Sequence, residues 1–303
     1  MQLSQQTTEY RLPLTPPLLV VVGETASGKS QLALQLAQQL NGELICADSW
    51  TVRREVNIGT AKPTAAEQAL VPHHLLDVVG PGEDFTAAVF KDLANQAITD
   101  IAARGKLPIM VGGTGLYIDA VLYDYGFLAA GDRAARQALN NLSVEALQDR
   151  IKQRGIAFGA VDIRNKRRLI RLLETDGAQP TRQTLRSNSV VIGLQINREV
   201  LQDRISQRVD NMLAAGLEAE VRTLSKRYGW QCEALKGVGY AQWQDYFLGT
   251  QSLDETRQRI VKATLDLAKR QRTWFKRNKS IHWLTTPVKS TTVVDLVTTY
   301  LRT

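Results

Sequence analysis

The most constraining stretch of this chain is Leu18–Ser30, which reads LLVVVGETASGKS. Leu18–Val22 is a continuous apolar run rich in Val, the pattern of a strand buried on both faces. Gln31–Leu40 then places Leu32, Leu36 and Leu40 one helical turn apart, with Ala33 and Ala37 between them. Between strand and helix lies Gly23-Glu-Thr-Ala-Ser-Gly28-Lys29-Ser30, a full match to G-x-x-x-x-G-K-[ST] in the context that gives the motif meaning. The glycines let backbone N–H groups turn inward around phosphate oxygens, and the helix N-terminus adds its positive dipole end. Gly23, Thr25, Ala26, Ser27, Gly28, Lys29 and Ser30 are therefore candidate phosphate ligands, with the Ser30 hydroxyl placed to hold Mg²⁺.

Alternation of strands and helices continues beyond this unit. Glu43–Ala47, Leu75–Val79 and Pro108–Val111 read as strands and Thr86–Arg104 as a long helix, with Gly105 as its C′ residue. Such alternation predicts a parallel sheet with helices on both faces. Near Gly126 the pattern changes. Residues 127–189 contain no convincing strand and read as charged helices over Asp132–Leu139, Ser143–Arg154 and Asn165–Glu174. Strand character returns at Val190–Ile196 and again at Ile281–Leu284. Arg198–Arg227 reads as a helix interrupted near Gly216, and Leu253–Arg277 as a long basic helix. The expected organisation is a core domain of residues 18–126 and 190–303, a helical insertion at 127–189 and a leader at 1–17.

Charge is distributed unevenly along the chain. Residues 1–125 hold 8 Lys/Arg against 13 Asp/Glu, while the remainder holds 30 against 17. The C-terminal excess suits a polyanionic partner. Two cysteines, Cys46 and Cys232, make no disulfide framework, so a reducing cytoplasmic setting is expected. The first twelve residues lack an apolar signal-peptide core, and the longest apolar runs are far short of a bilayer span.

The phosphate loop does not specify the phosphate compound. A kinase or nucleotide-hydrolysing enzyme expects an apolar strand ending in an Asp that holds Mg²⁺. Pro108–Val111 ends instead in Gly112-Gly113-Thr114-Gly115. The nearest candidate is Asp48, which follows Glu43–Ala47 and so faces the ligand crevice at the carboxyl ends of the strands. From spacing alone it is a metal ligand, a general base or a helix cap.

An ordered set of segments then narrows the choice. These are the phosphate loop, Ala47-Asp48-Ser49, Ile58-Gly59-Thr60-Ala61-Lys62-Pro63, Pro72-His73-His74-Leu75 and Gly112-Gly113-Thr114-Gly115-Leu116-Tyr117. Asp162-x-x-Asn165-x-x-Arg168-x-x-Arg171-x-x-Glu174 follows, then Arg208 with Met212-x-x-x-Gly216-Leu217-x-x-Glu220-Val221. Gly237-Val238-Gly239-Tyr240 and the block from Thr264 to Phe275 complete the series. Together they resemble the tRNA dimethylallyltransferase (tRNA isopentenyltransferase) family of bacterial type. The resemblance implies a P-loop NTPase-like α/β fold, a parallel sheet flanked by helices with a small all-helical insertion domain. It implies transfer of a dimethylallyl group from dimethylallyl diphosphate to N6 of adenine 37, beside the anticodon.

Residue roles follow from that resemblance. Asp48 is the expected base, and Thr25, Lys29 and Arg208 act with it at the diphosphate. Ser49, Trp50, Thr51 and Thr114 are expected near the target base of the tRNA anticodon stem-loop. Arg136, Arg167, Arg168 and Arg171 of the insertion are expected to meet tRNA, as are Lys236, Gly237, Val238, Gly239 and Tyr240. So are Lys269, Arg270, Gln271, Thr273 and Trp274 of the last long helix. Mg²⁺ is the implied cofactor, a monomer is expected, and no membrane is involved. Arg53 departs from the family's usual Tyr and Glu24 from a common Pro, and Leu265 stands where an Arg is frequent. Two rivals share parts of this pattern: an adenylate isopentenyltransferase acting on free AMP, ADP or ATP, and a small-molecule kinase with the same loop.

Overall fold

A computed structural model describes residues 15–129 and 131–301, the side chain of Arg133 apart. The expected leader lies almost wholly outside the described residues. Six strands form one sheet: β1 (Leu18–Gly23), β2 (Gly42–Ala47), β3 (His73–His74), β4 (Leu107–Gly112), β5 (Ser189–Gln195) and β6 (Ile281–Thr285). Every neighbouring pair is parallel, in the order β3-β2-β4-β1-β5-β6. The chain leaves β1 toward β2 and leaves β4 toward β5, so it departs in opposite directions from two adjacent strands. That topology opens a crevice at their carboxyl ends. The register brings Val22 level with Gly112, and Gly112 level with Ala47. Consequently the phosphate loop, Asp48 and Gly113 emerge from the sheet side by side.

The continuous apolar runs are buried on both faces, as parallel strands with helical covers require. On one face Leu19, Val21, Ile109, Val111 and Ile192 pack with Leu32 and Leu36 of the helix Lys29–Gln39. Val293 and Val297 of the helix Ser290–Tyr300 join the same cluster. The helices Ala87–Ala103, Gly115–Leu122 and Leu253–Phe275 also contact the central strands. Thr86 caps its helix by accepting from Val89 N, and Gly105 takes the left-handed conformation just past the end. Ser252 and Glu255 form a capping box at the start of Leu253–Phe275.

The strand expected over Leu75–Val79 is displaced. Pairing with β2 occurs at His73 and His74, and Leu75 and Asp77 adopt positive φ of 63° and 57°, which a strand does not tolerate. His73 Nδ1 donates to Val71 O at 2.7 Å, and His74 Nε2 sits 2.7 Å from the Glu43 carboxylate. Both histidines thus brace the sheet edge.

Contacts divide the chain into two compact units: Tyr123–Leu185, and the segments up to Leu122 and from Arg186 onward. The smaller unit starts and ends four residues earlier than the expected 127–189. Gly126 pairs with Thr181 in an antiparallel bridge, and Gln183 N donates to Tyr123 O, which draws both flanks into it. Within it, three helices span Arg133–Asn140, Val144–Gln153 and Lys166–Glu174. Asp132, Ser143 and Asn165 are their caps, each accepting from the backbone three residues on. Leu147, Ile151, Leu169, Ile170, Leu172 and Leu173 form a separate core.

Candidate active site

The phosphate loop starts from buried Gly23 and reaches its helix through two left-handed residues, Ala26 at φ 61° and Gly28 at φ 91°. A side chain at Gly28 would meet the steric cost of that conformation, so the motif glycine is required there. Thr25, Lys29 and Ser30 line a cavity together with Asp48, Trp50, Gly112 and Arg208. Val238 and Gly239 contribute to the same wall, as do the apolar side chains of Leu44, Val111, Met212 and Ile260. All of these residues belong to the larger unit.

Electrostatics tie three of them together. Burial and then Arg208 push the Lys29 ammonium down, to about 8 in all, with Asp48 and Glu24 opposing both. Arg208 is likewise lowered by burial, again opposed by Asp48. Two cations crowded beside the Asp48 carboxylate form a site suited to an anion. Glu24, buried in the loop, has its pKa raised by burial against the pull of Arg272, Lys276 and Lys29. Its backbone carbonyl accepts from Lys29 Nζ at 3.2 Å.

Asp48 is both a cap and an available carboxylate. Its Oδ1 accepts from Trp50 N at 2.8 Å and Thr51 N at 3.3 Å. Its Oδ2 has no hydrogen-bond partner among the described residues. One oxygen therefore fixes the carboxylate and the other stays available, so the cap and base readings do not exclude each other.

Several expected ligands are also engaged by other groups of the protein, although Thr51 and Gln271 line the cavity. The Ser27 hydroxyl lies buried beneath the loop, beside Gly23, and has no partner among the described residues. Thr114 Oγ1 accepts from Ser49 N at 3.0 Å and so braces the Asp48 turn. Thr51 is buried, as is Arg53, whose guanidinium donates to Glu83 O at 2.6 Å. Arg53, where the family usually has Tyr, thus ties the 80–83 loop. Gln271 is also buried: its Oε1 accepts from Thr25 N at 2.8 Å, and its amide fills the space a Gly113 side chain would need. Expected at the tRNA, it lines the cavity and also locks the last long helix to the phosphate loop. Trp274 packs against Gly115 and donates to Asp119 Oδ2 at 2.9 Å, with Arg277 over its ring. Tyr240 is fully buried and donates to Glu220 Oε1 at 2.6 Å.

The expected tRNA cations divide into two kinds. Arg136 and Arg171 both pair with Glu174, which makes them internal ties of the small unit. Lys236 pairs with Glu233. Arg167, Arg168, Lys269 and Arg270 are exposed, with no side-chain partner among the described residues. Thr273 is exposed and bonds Lys269 O within its own helix.

Sequence reasoning passed over Glu220 as a site residue. Its carboxylate accepts from the N–H groups of Asn57, Ile58 and Gly59 and from Tyr240 OH, which joins two loops that line the cavity. A carboxylate bound to backbone donors 161 to 163 residues away leaves no spacing signal. Glu220→Ala is expected to destabilise the fold by about 1–3 kcal/mol, because four donors lose their acceptor. Glu220→Gln retains acceptors and is expected to recover most of that loss in urea unfolding.

A parallel sheet with a phosphate loop on β1, cations around it and an acid at the end of β2 defines a P-loop-fold enzyme for a phosphorylated substrate. Comparison with known proteins narrows the class. The IPP transferase family profile matches residues 51–278. The tRNA dimethylallyltransferase of Geobacillus thermodenitrificans is 40% identical, over 95% of this chain and 97% of that protein. The tRNA dimethylallyltransferase 1 of Pelobacter propionicus is 41% identical, over 93% and 96% respectively. Among solved structures, the tRNA isopentenylpyrophosphate transferase of Bacillus halodurans matches with TM-score 0.72 and 38% identity, covering 94% of this chain and 95% of that one. A eukaryotic dimethylallyltransferase acting on tRNA matches with TM-score 0.76 and 26% identity, over 89% of this chain and 74% of that one. The chain belongs to the IPP transferase family.

Proposed function

We propose that this protein transfers a dimethylallyl group from dimethylallyl diphosphate to N6 of adenine 37 of tRNA, releasing diphosphate. The observation that carries the reading is the grouping of Lys29, Arg208 and Asp48 around one cavity at the phosphate loop. Cations at the loop suit a departing diphosphate, and a carboxylate with one available oxygen suits removal of a proton from an amine.

The exocyclic amine of adenine is a weak nucleophile because its lone pair is delocalised into the ring. Asp48 Oδ2 takes its proton as the new C–N bond forms. Turn bonds to Oδ1 hold the carboxylate in place during that step. As the allylic C–O bond breaks, negative charge grows on the diphosphate, where Lys29, Arg208 and the loop N–H groups stabilise it. Thr25 is oriented for the same task by Gln271, which occupies its N–H and leaves its side chain on the cavity wall.

Mg²⁺ fits this donor set in one way. No group of three or more His, Cys, Asp or Glu that could hold a metal occurs among the described residues. The exposed Ser30 hydroxyl on the cavity wall is a hard oxygen donor, of the kind Mg²⁺ combines with phosphate oxygens and water. When bound, the ion would neutralise diphosphate charge.

The target base must leave its stack to enter the cavity, at a cost of a few kcal/mol. Exposed Arg167, Arg168, Lys269 and Arg270 supply charge for the tRNA backbone, whose place of work is the cytoplasm. No helix among the described residues is long and apolar enough to cross a membrane. tRNA affinity is expected to fall by orders of magnitude between 50 and 200 mM salt, as about 10³–10⁵-fold would for six to ten phosphate contacts. A flat titration by anisotropy would remove the polyanion reading.

One incubation tests the whole assignment. Labelled dimethylallyl diphosphate is offered with tRNA, an anticodon stem-loop or AMP. Label in tRNA and stem-loop is the expected result. Label confined to AMP, or ATP turnover without label transfer, would overturn it.

A further inference from the structure

Arg208 accounts for one cation beside the phosphate loop, yet its helix carries another. The helix Arg198–Ala214 buries Leu201, Ile205, Val209 and Met212 as a stripe. Ile205 packs with Ala26 of the phosphate loop and Ala268 of the last long helix, which seats this helix on the loop itself. Arg204 and Arg208 lie four residues apart, so both project along the same side of the helix. A Cβ placed on Gly28 would lie 3.9 Å from Arg204 Nη1. That brings the guanidinium to the loop at the residue that opens the phosphate-binding helix. Arg204 is exposed, and it has no hydrogen bond or ion pair among the described residues.

An unpaired cation over the loop, on the same side of the helix as Arg208, adds to the positive charge crowded there and favours an entering anion. Lys29 already registers that crowding through Arg208. A prenyl diphosphate brings about three negative charges, one on the inner phosphate and nearly two on the outer. Arg208, half-buried, lines the cavity with the proposed base Asp48 and is therefore the inner of the two. Exposed Arg204, over Gly28, stands toward solvent.

We infer that Arg204 is the outer arm of a two-arginine diphosphate clamp, binding the terminal phosphate while Arg208 serves the inner one. This rests on the proposed function only in the identity of the ligand, a diphosphate. Because the terminal phosphate carries its charge both before and after bond breaking, Arg204 supplies uniform binding. Its loss is expected in KM, with little change in kcat.

The test uses the full chain with inorganic diphosphate as the probe, in isothermal calorimetry, without tRNA. Arg204→Ala is expected to raise the diphosphate Kd about tenfold, the loss of one charge-assisted contact. Arg204→Lys is expected to lie between, since a point charge replaces a two-pronged donor. KM for dimethylallyl diphosphate should rise in parallel, with kcat within about twofold and the melting temperature unchanged. tRNA affinity at about 150 mM salt should stay within twofold. An unchanged diphosphate Kd in Arg204→Ala overturns the inference. Weakened tRNA binding with unchanged diphosphate binding also overturns it and makes Arg204 a tRNA-backbone cation. Wild-type protein that binds diphosphate through Arg204 but transfers no label would leave the clamp standing and sink the proposed reaction instead.

Discussion

Replacing Asp48 by Asn is expected to slow single-turnover dimethylallyl transfer by about 10²–10⁴-fold, the contribution of a positioned general base. The choice of Asn matters. Its carbonyl oxygen still accepts from Trp50 N and Thr51 N, so the turn that follows β2 stays closed. The group facing the cavity becomes an amide that cannot take a proton. Affinity for tRNA and for diphosphate should change little. Asp48→Ala removes both functions, and two turn N–H groups then lose their acceptor. If Asp48→Asn retained a near-normal single-turnover rate while Asp48→Ala did not, Asp48 would be a cap and the base would lie elsewhere.

Lys29 carries the second large effect. Lys29→Met is expected to cut kcat/KM by about 10²–10³-fold, the loss typical of one preorganised donor at a developing negative charge. In the ligand-free protein the Lys29 ammonium titrates at about 8, below its ordinary 10.5. Diphosphate favours the charged form, so its affinity should hold below pH 8 and fall as the pH rises above it. Calorimetry in buffers of different ionisation enthalpy should show proton uptake on binding above that pH. The same shift has the opposite sign for folding. A cation whose pKa is depressed by burial weakens the fold where both states are protonated, and this penalty fades as pH climbs from about 8 toward 10.5. Lys29→Met without ligand is therefore expected to melt higher than wild type at neutral pH. A lower melting temperature, or a pH-independent diphosphate affinity, would contradict the picture of two cations crowded at an anion site.

The strand cores were legible because each is a short apolar run bounded by turn residues. Leu18–Gly23, Leu107–Gly112 and Ser189–Gln195 all differ from the expected bounds by a residue or two. His73–His74 was not, since a two-residue polar edge strand has no hydrophobic period to read. Helix ends in the small unit were displaced by one residue at Asp132, Ser143 and Asn165, where the cap had been counted as the first helical residue. The short helices Ala65–Leu70 and Gly115–Leu122 and the helix Ser290–Tyr300 lie outside the sequence expectation. Leu70 is exposed and Ala65–Leu70 buries no side chain, so no stripe marked it.

Within the site, local order and tertiary order contributed different things. The phosphate loop and the position of Asp48 after a strand are consequences of contiguous backbone, and a contiguous pattern can be read from residues in order. Gln271 bonded to Thr25, Glu220 bonded to Asn57–Gly59, and Arg204 set beside Gly28 join segments separated by more than 150 residues. Nothing in the spacing of a chain encodes which distant side chain meets a given N–H. Those pairings are settled by the sheet register that levels Val22, Gly112 and Ala47, and by the packing of two helices onto the phosphate loop. The chemistry of the loop was thus written in thirteen consecutive residues. The identity of the groups that hold it in place, and of the cations that surround it, came only from the folded sheet and helices.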